Sequence, residues 1–215
     1  MKADLHLHTC HSFDSGAKPK SIVEQCIKTG LDCIAVTDHN SIEGAFEVRD
    51  LAPFHVIIGE EVRSVGGDII GLFLQEEIPK GLSPEDTVYA ILSQGGLVMV
   101  PHPFDRVRSS VITPEALSEV VEKVDILETF NAHNIFRNDN LRAESFARDF
   151  NLIRTAVSDS HTPGELGYSY VEMPDFDGTP AGLKASLAQA KLVGRKANPI
   201  QRLAPTYSKL RKKLF

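Results

Sequence analysis

The chain has 215 residues, of which 42% are hydrophobic and 24% are charged. These proportions are ordinary for a globular protein, so they exclude a collagen-like chain and one that is disordered throughout. The length is sufficient for one large domain with a full hydrophobic core. No apolar run approaches the ~20 residues that a membrane-spanning helix needs, and the N-terminus lacks the apolar segment of a secretory signal. We therefore expect a cytoplasmic protein without a membrane partner.

Charge is distributed unevenly along the chain. The net charge is −6, yet eight of the 23 Lys and Arg residues and none of the 29 Asp and Glu residues lie between positions 191 and 215. The remaining body is acidic, which argues against broad nucleic-acid binding through it. We place one domain at residues 1–197 and a basic C-terminal tail at residues 198–215. The tail could contact nucleic acid or another anionic partner, contact the body, or stay solvated.

Short apolar segments that indicate strands alternate with amphipathic segments that indicate helices. The predicted strands cover residues 3–8, 33–38, 56–63, 68–74, 97–102, 126–131, 153–159 and 168–173. The predicted helices cover residues 19–29, 41–51 and 140–150, and three more begin at prolines 84, 114 and 180. A Ser or Thr precedes each of these prolines, and such a pair is typical of a capped helix start. The glycine pair at 66–67 predicts a hairpin turn.

The strands are almost continuously apolar, which is typical of strands buried on both faces. Such strands occur in parallel sheets that are covered by helices. Six or seven strand–helix repeats in about 190 residues favour a small barrel-like α/β fold. An open, doubly wound sheet is the competing architecture.

Histidine and acidic residues follow most of these strands at their carboxyl ends. In parallel α/β folds that edge of the sheet carries the active site, where side chains far apart in sequence converge. The residues at these positions are Asp4, His6, His8, Asp38, His39, Glu60, Glu61, His102, Glu128, Asn131, Asp159 and His161.

The spacing of these residues indicates metal binding. His6 and His8 are two residues apart on a strand, so both imidazoles point to the same side, and Asp159 and His161 repeat this spacing. Imidazole and carboxylate together are ligands for Zn, Mn or Fe. The complete set has more donors than one tetrahedral ion needs, so we expect two or three ions about 3.5–4 Å apart, bridged by a carboxylate such as Glu61.

Three further histidines stand outside this pattern. His55 begins a predicted strand, so it belongs to the opposite end of the barrel and we assign it a structural role. His11 and His133 lie in loops on the active face, where either a structural or a functional role is open.

Taken together, these residues resemble the motifs of the PHP (polymerase and histidinol phosphatase) superfamily, in its small stand-alone metal-dependent phosphoesterase branch. The resemblance covers residues 1 to about 196 and implies a distorted (β/α)7 barrel of TIM-like type in a single domain. The motifs stand here as Asp4-Leu5-His6-Leu7-His8-Thr9, Ser12-Phe13-Asp14, Thr37-Asp38-His39-Asn40, Gly59-Glu60-Glu61, His102-Pro103, Glu128-Thr129-Phe130-Asn131 and Ser158-Asp159-Ser160-His161.

The resemblance also implies a ligand set for two or three divalent ions. Glu61 is chosen over Glu60 because the family pattern is Gly-x-Glu. Some three-metal members place a His or Cys ligand on the sixth strand, where this chain has Glu128-Thr129-Phe130-Asn131. His133, two residues later, could substitute for that ligand. The number of ions, two or three, therefore stays open. The implied ligands are His6, His8, Asp14, His39, Glu61, His102, Asp159 and His161.

The function that we expect is hydrolysis of a small phosphate ester, either a phosphomonoester or a nucleotide-like compound. Bound cations lower the pKa of a coordinated water toward ~7, so hydroxide is available to attack phosphorus. His39 or His161 would protonate the leaving oxygen, and Arg137 is the favoured arginine for binding the phosphate. The arginines that we rank behind it are Arg63, Arg106 and Arg108.

Two other functional classes remain as alternatives. A metal-dependent amidohydrolase would share the His-x-His pair, but it often adds a carboxylated lysine at a strand end, and no Lys stands there in this chain. A non-catalytic interaction module of the same superfamily would be expected to have lost part of its ligand set. The basic tail would then be the first place to look for a partner.

Overall fold

The computed structural model describes residues 1–199 and 201–214. Nine strands and seven α-helices lie within those ranges. The strands are β1 (Lys2–Leu7), β2 (Cys33–Val36), β3 (His55–Ser64), β4 (Gly67–Leu72), β5 (Leu97–Val100), β6 (Ile126–Asn131), β7 (Ile153–Val157), β8 (Tyr170–Glu172) and β9 (Lys191–Val193). The helices are α1 (Pro19–Thr29), α2 (Glu43–Leu51), α3 (Pro84–Ser93), α4 (Pro114–Val120), α5 (Arg137–Asp149), α6 (Pro180–Leu187) and α7 (Ala204–Leu214).

The strands form one sheet in the order β7-β6-β5-β4-β3-β2-β1-β8-β9. The pairs β1–β2, β2–β3, β5–β6 and β6–β7 are parallel, whereas β4 is antiparallel to both β3 and β5. At the carboxyl end, the His8 amide donates to the Ser160 carbonyl (2.8 Å) and the Asp159 amide to the His6 carbonyl (2.9 Å). These bonds bring β1 against the segment that follows β7. The sheet is therefore a nearly closed barrel, which confirms the predicted barrel-like α/β fold in a single domain rather than an open sheet.

Both faces of the sheet are covered by apolar side chains. Cys33 and Ala35 of β2 belong to one hydrophobic cluster, and Ile34 and Val36 belong to the other, which also contains the buried side chains of α1 to α5. This alternation follows from the two-residue period of a strand. Among the described residues, none of the helices combines the length and the hydrophobicity that a membrane span requires.

Local sequence signals account for several element boundaries. Ser83, Thr113 and Thr179 each accept a hydrogen bond from a backbone amide in the first turn of the helix that follows them. Helix α1 and strand β6 have their predicted bounds, and the hairpin turn joins β3 to β4. Helix α5 begins at Arg137, three residues before the predicted start. The charge pattern did not predict that the basic tail contains a helix, α7.

Candidate metal centre

Imidazoles and carboxylates from distant parts of the chain meet at the carboxyl-end edge of the sheet. Three groups of them have donor atoms that all lie within 4.8 Å of one another. The first group is His6, His8 and Glu61, the second is Glu61, His102 and Asp68, and the third is His8, Asp14, His39 and His161.

The first group lies at the carboxyl end of β1 and in the second half of β3. The Nε2 atoms of His6 and His8 are 3.1 Å apart, and they lie 3.3 and 3.4 Å from Glu61 Oε2. Asp159 Oδ1 is 3.5 Å from His6 Nε2 and 3.4 Å from His8 Nε2. Four fully buried side chains therefore point donor atoms at one position.

The second group shares Glu61 with the first. Glu61 Oε1 is 3.0 Å from His102 Nε2, while Glu61 Oε2 faces His6 and His8. The third member of this group, Asp68, was not among the expected ligands. It stands at the start of β4, and because β4 is antiparallel, its first residues lie at the same edge as the carboxyl ends of the parallel strands. The predicted hairpin could have indicated this position of Asp68, because a hairpin makes β4 antiparallel to β3.

The third group shares His8 with the first. Asp14 Oδ2 lies 3.3 Å from His39 Nε2 and 3.5 Å from His161 Nε2. His39 is also joined to Glu61, since its Nδ1 lies 3.2 Å from Glu61 Oε2. The structure thus gathers all eight side chains of the implied ligand set into one continuous cluster, and it adds Asp68.

Burial and charge shift the protonation of these side chains in different directions. Burial disfavours the charged form of His6, but the carboxylates of Asp159, Glu128 and Glu61 outweigh it and raise its pKa well above the usual value. Burial lowers the pKa of His8 to about 3, and the neighbouring His161 and His39 add to the effect. His8 is therefore neutral near pH 7, which is the form that binds a metal.

Cationic neighbours hold three carboxylates of the cluster ionised, whereas burial and the charge of Glu61 raise the pKa of the fourth, Asp68, to about 6. Burial opposes ionisation of Asp14, but hydrogen bonds and charge from His161 and His39 lower its pKa. In the same way, His39 and His6 place the pKa of Glu61 well below its usual range, and Arg108 and His6 do so for Asp159.

The donor set fits divalent metal ions. Asp14 Oδ1 and Asp68 Oδ2 are buried without a hydrogen-bond partner among the described residues. An uncompensated carboxylate oxygen away from water is costly, and a bound cation would satisfy it. Nitrogen and oxygen donors in this mixture suit Zn, Mn or Fe.

A second layer of side chains orients the histidines. Glu128 Oε1 accepts a hydrogen bond from His6 Nδ1 (2.6 Å), so Nε2 of this ring faces the cluster. Glu128 Oε2 accepts from the His102 amide (2.8 Å) and from Asn131 Nδ2 (2.9 Å). Such acceptors fix the tautomer and direction of a ligand imidazole. Glu128 on the sixth strand thus supports His6.

Arg108, and not Arg137, lies beside the cluster. A cavity of about 410 Å³ opens onto Asp14, His39 and His161, and Arg108 is one of the residues that line it. The Arg108 guanidinium contacts the Asp159 carboxylate. Arg137 is exposed in the first turn of α5 and is not among the lining residues.

The histidines outside the ligand set take other positions. His133 lines the cavity but lies outside the three groups, and its Nε2 is 2.7 Å from Glu165 Oε1. His11 contacts the carboxylates of Glu43 and Glu47 at the surface. His55 is exposed at the start of β3.

Two residues of the cluster have strained backbone. His102 has φ of 31° and Asp159 has φ of 52°, in the left-handed region that non-glycine residues rarely adopt. Such conformations cost about 1–3 kcal/mol each and persist where the surrounding structure enforces them.

Comparison with known proteins gives a consistent picture. The model of the PHP domain family matches residues 4–111, and that of the PHP-associated family matches residues 137–192. An uncharacterized protein of Methanocaldococcus jannaschii is 40% identical over 149 residues, which cover 62% of this chain and 84% of that protein.

Solved structures share the fold at low sequence identity. A two-domain protein from Bacteroides vulgatus, described as containing a predicted PHP-like metal-dependent phosphoesterase, superimposes with a TM-score of 0.74 and 20% identity, covering 97% of this chain and 69% of that one. The lesion-specific endonuclease PfuEndoQ from Pyrococcus furiosus gives a TM-score of 0.63 and 14% identity, covering 89% of this chain and 57% of that one.

Proposed function

Because the chain belongs to the PHP domain family, we propose that it is a metal-dependent phosphoesterase that hydrolyses small phosphate esters. The observation that carries this proposal is the continuous cluster of nine buried or nearly buried donor side chains, in which Glu61 and His8 each belong to two groups. Shared ligands of this kind are suited to two or three ions held close together.

Each group of side chains has a role in holding the ions. His6, His8, Glu61 and Asp159 would hold one, and Glu61, His102 and Asp68 would hold a second. Asp14, His39 and His161 would hold a third together with His8. Divalent ions bound there would supply a Lewis acid for the phosphoryl oxygens and an acidified water.

Arg108 is the favoured arginine for the phosphate of the substrate. It lines the cavity next to the cluster, and a guanidinium can donate two parallel hydrogen bonds to phosphate oxygens. Its contact with Asp159 positions it beside the cluster.

His39 or His161 supplies the proton for the leaving oxygen when the third group holds no ion. Burial would lower the pKa of His39, but Glu61 and Asp14 raise it to about 9, so it carries a proton near pH 7. The ring lines the cavity and can reach a bound substrate.

Elemental analysis of the purified protein, followed by a phosphate-release screen with added Mn, tests the proposal. We expect two or three ions per chain and release of phosphate from small esters, abolished by a chelator and by His8→Ala. His11→Ala is the matched control, because His11 lies outside the cluster and should retain activity. A protein that takes up no metal, or that hydrolyses a cyclic amide and no phosphate ester, would contradict the proposal.

A further inference from the structure

The C-terminal segment crosses the mouth of the cavity. Its first part is tied to the loops that follow β6 and β7: the Ala197 amide donates to the Ala132 carbonyl (2.9 Å), and Lys196 Nζ donates to the Ile135 carbonyl (2.8 Å). Gln201 Nε2 then donates to the Gly164 carbonyl at 3.2 Å. These bonds hold the chain beside the metal centre just before α7 begins.

Helix α7 reaches the opposite side of the same cavity. Lys212 Nζ donates to the carbonyls of Cys10 (2.6 Å) and Ser12, in the loop that leads to Asp14. Lys209 Nζ lies 5.1 Å from the centre of the Phe13 ring, and that ring stacks on His39 at 4.8 Å. The segment is therefore anchored on both sides of the opening.

Two cations of this segment face the cavity and have no charged partner among the described residues. The lining includes Arg202 and Lys209 from the segment, together with Arg63 and Arg108 from the barrel. Arg63 is paired with Asp68 (3.0 Å) and Arg108 with Asp159, whereas neither Arg202 nor Lys209 has a described carboxylate within ion-pair distance. Arg202 Nε is also buried without a hydrogen-bond partner among the described residues.

A buried guanidinium nitrogen without an acceptor is costly, so its position indicates a ligand that provides one. We propose that Arg202 and Lys209 form a second anion subsite, which binds an anionic group of the substrate beyond the phosphate held at the metal centre. The substrate class is thus a small molecule with two anionic groups. This inference rests on the proposed phosphoesterase function of the same cavity.

The size of the cavity favours a small molecule over a polymer. About 410 Å³ lies within the range of small-ligand sites, and the segment occupies part of the opening that a long chain would need. The basic tail, which could have been a solvated segment, is then a part of the active site.

Paired substrates test the subsite. Fructose 1,6-bisphosphate carries two phosphates and fructose 6-phosphate carries one, so only the first can contact both the metal centre and Arg202. We expect Arg202→Gln and Lys209→Gln each to raise KM for the bisphosphate about tenfold, with kcat and the KM for the monophosphate changed less than twofold. Arg211→Gln is the matched control on α7, since Arg211 is exposed and does not line the cavity. Equal effects on both substrates, or none, would overturn the inference.

A binding measurement separates this inference from the proposed function. Calorimetry of the metal-loaded protein compares butane-1,4-bisphosphonate with butylphosphonate, neither of which can be hydrolysed. We expect the bisphosphonate to bind more tightly than the monophosphonate to the wild type, and its affinity to fall about tenfold in Arg202→Gln.

The outcomes distinguish the two proposals. If the bisphosphonate binds in this way while no ester is hydrolysed, the proposed function fails and the subsite stands. If esters are hydrolysed but Arg202→Gln leaves bisphosphonate binding unchanged, the subsite fails alone. Tighter, Arg202-dependent binding of a 5′-phosphorylated oligonucleotide would overturn the small-molecule assignment.

Discussion

Glu60 and Glu61 are neighbours on β3 and both are fully buried, yet their environments are opposite. Glu61 faces the candidate metal centre, where His6, His39 and His102 surround its oxygens. Glu60 points to the other face of the sheet, where Oε2 accepts from the Ile78 amide (2.8 Å) and Oε1 has no described partner.

The protonation of the two carboxyls differs accordingly. The imidazoles overcome the effect of burial and place the pKa of Glu61 well below the usual range, whereas burial raises the pKa of Glu60 to about 8. Burial alone therefore does not identify a functional carboxylate. The side chains that surround it decide whether it is an ionised ligand or a neutral acid.

The largest expected effect comes from exchanging each carboxyl for an amide. Glu61→Gln removes an anionic ligand from two groups, so we expect phosphate release to fall by at least about 10³-fold and bound metal to decrease. Glu60→Gln should keep its metal and its activity within about threefold. Turnover and metal content are measured for both variants. Equal losses in the two would contradict the assignment of Glu61 as a ligand and of Glu60 as a neutral acid outside the site.

The two candidate phosphate-binding arginines offer a second comparison, since Arg108 lies beside the cluster and Arg137 does not. We expect Arg108→Gln to lower kcat/KM about 10–100-fold, because a charge-assisted contact to the phosphate is lost. Arg137→Gln should change it less than threefold, since Arg137 does not line the cavity. Steady-state kinetics on one substrate decides between the two arginines, and the reverse order would restore the sequence-based preference for Arg137.

Metal affinity should depend on pH through the histidines that adjoin Glu61. In the metal-free protein His39 has a pKa of about 9, so at pH 6 a metal must displace its proton, whereas His8, with a pKa of about 3, is already neutral. We expect affinity to rise at least about tenfold from pH 6 to pH 8, with protons released on binding. Calorimetry in buffers of different ionisation enthalpy counts these protons. Affinity that does not change with pH would be inconsistent with these shifts.

The free energy of unfolding should also depend on pH, through the protonation of Glu60. Its pKa is about 8 in the folded chain and 4.5 in the reference state, so between these values the folded state holds a proton that the unfolded state lacks. Stability conferred by this group is therefore present below pH 4.5 and lost as the pH rises to 8. Relative to Glu60→Gln, the wild type should lose roughly 3 kcal/mol of unfolding free energy between pH 5 and pH 8. Urea unfolding at both values measures this difference, and parallel pH profiles would contradict the assignment.

Much of the site could be predicted because its residues follow local rules. His6 and His8 share one side of a strand by spacing, and apolar runs show where the parallel strands end. Asp68 was missed because it starts a strand instead of ending one, and its place at the cluster depends on the antiparallel course of β4. The position of Arg108 beside the cluster could not be predicted, because an arginine in a loop has no periodicity that shows its direction.

The sequence by itself determined the alternation of strands and helices, the capped helix starts and the ligand-type side chains at the carboxyl ends of individual strands. These features depend on contacts between residues that are close along the chain. Only the tertiary structure decided that Asp68 and Arg108 join the cluster, that Arg137 lies outside it, and that the basic tail folds across the cavity. Those positions depend on long-range packing and on how segments separated by a hundred or more residues meet, which no local pattern encodes.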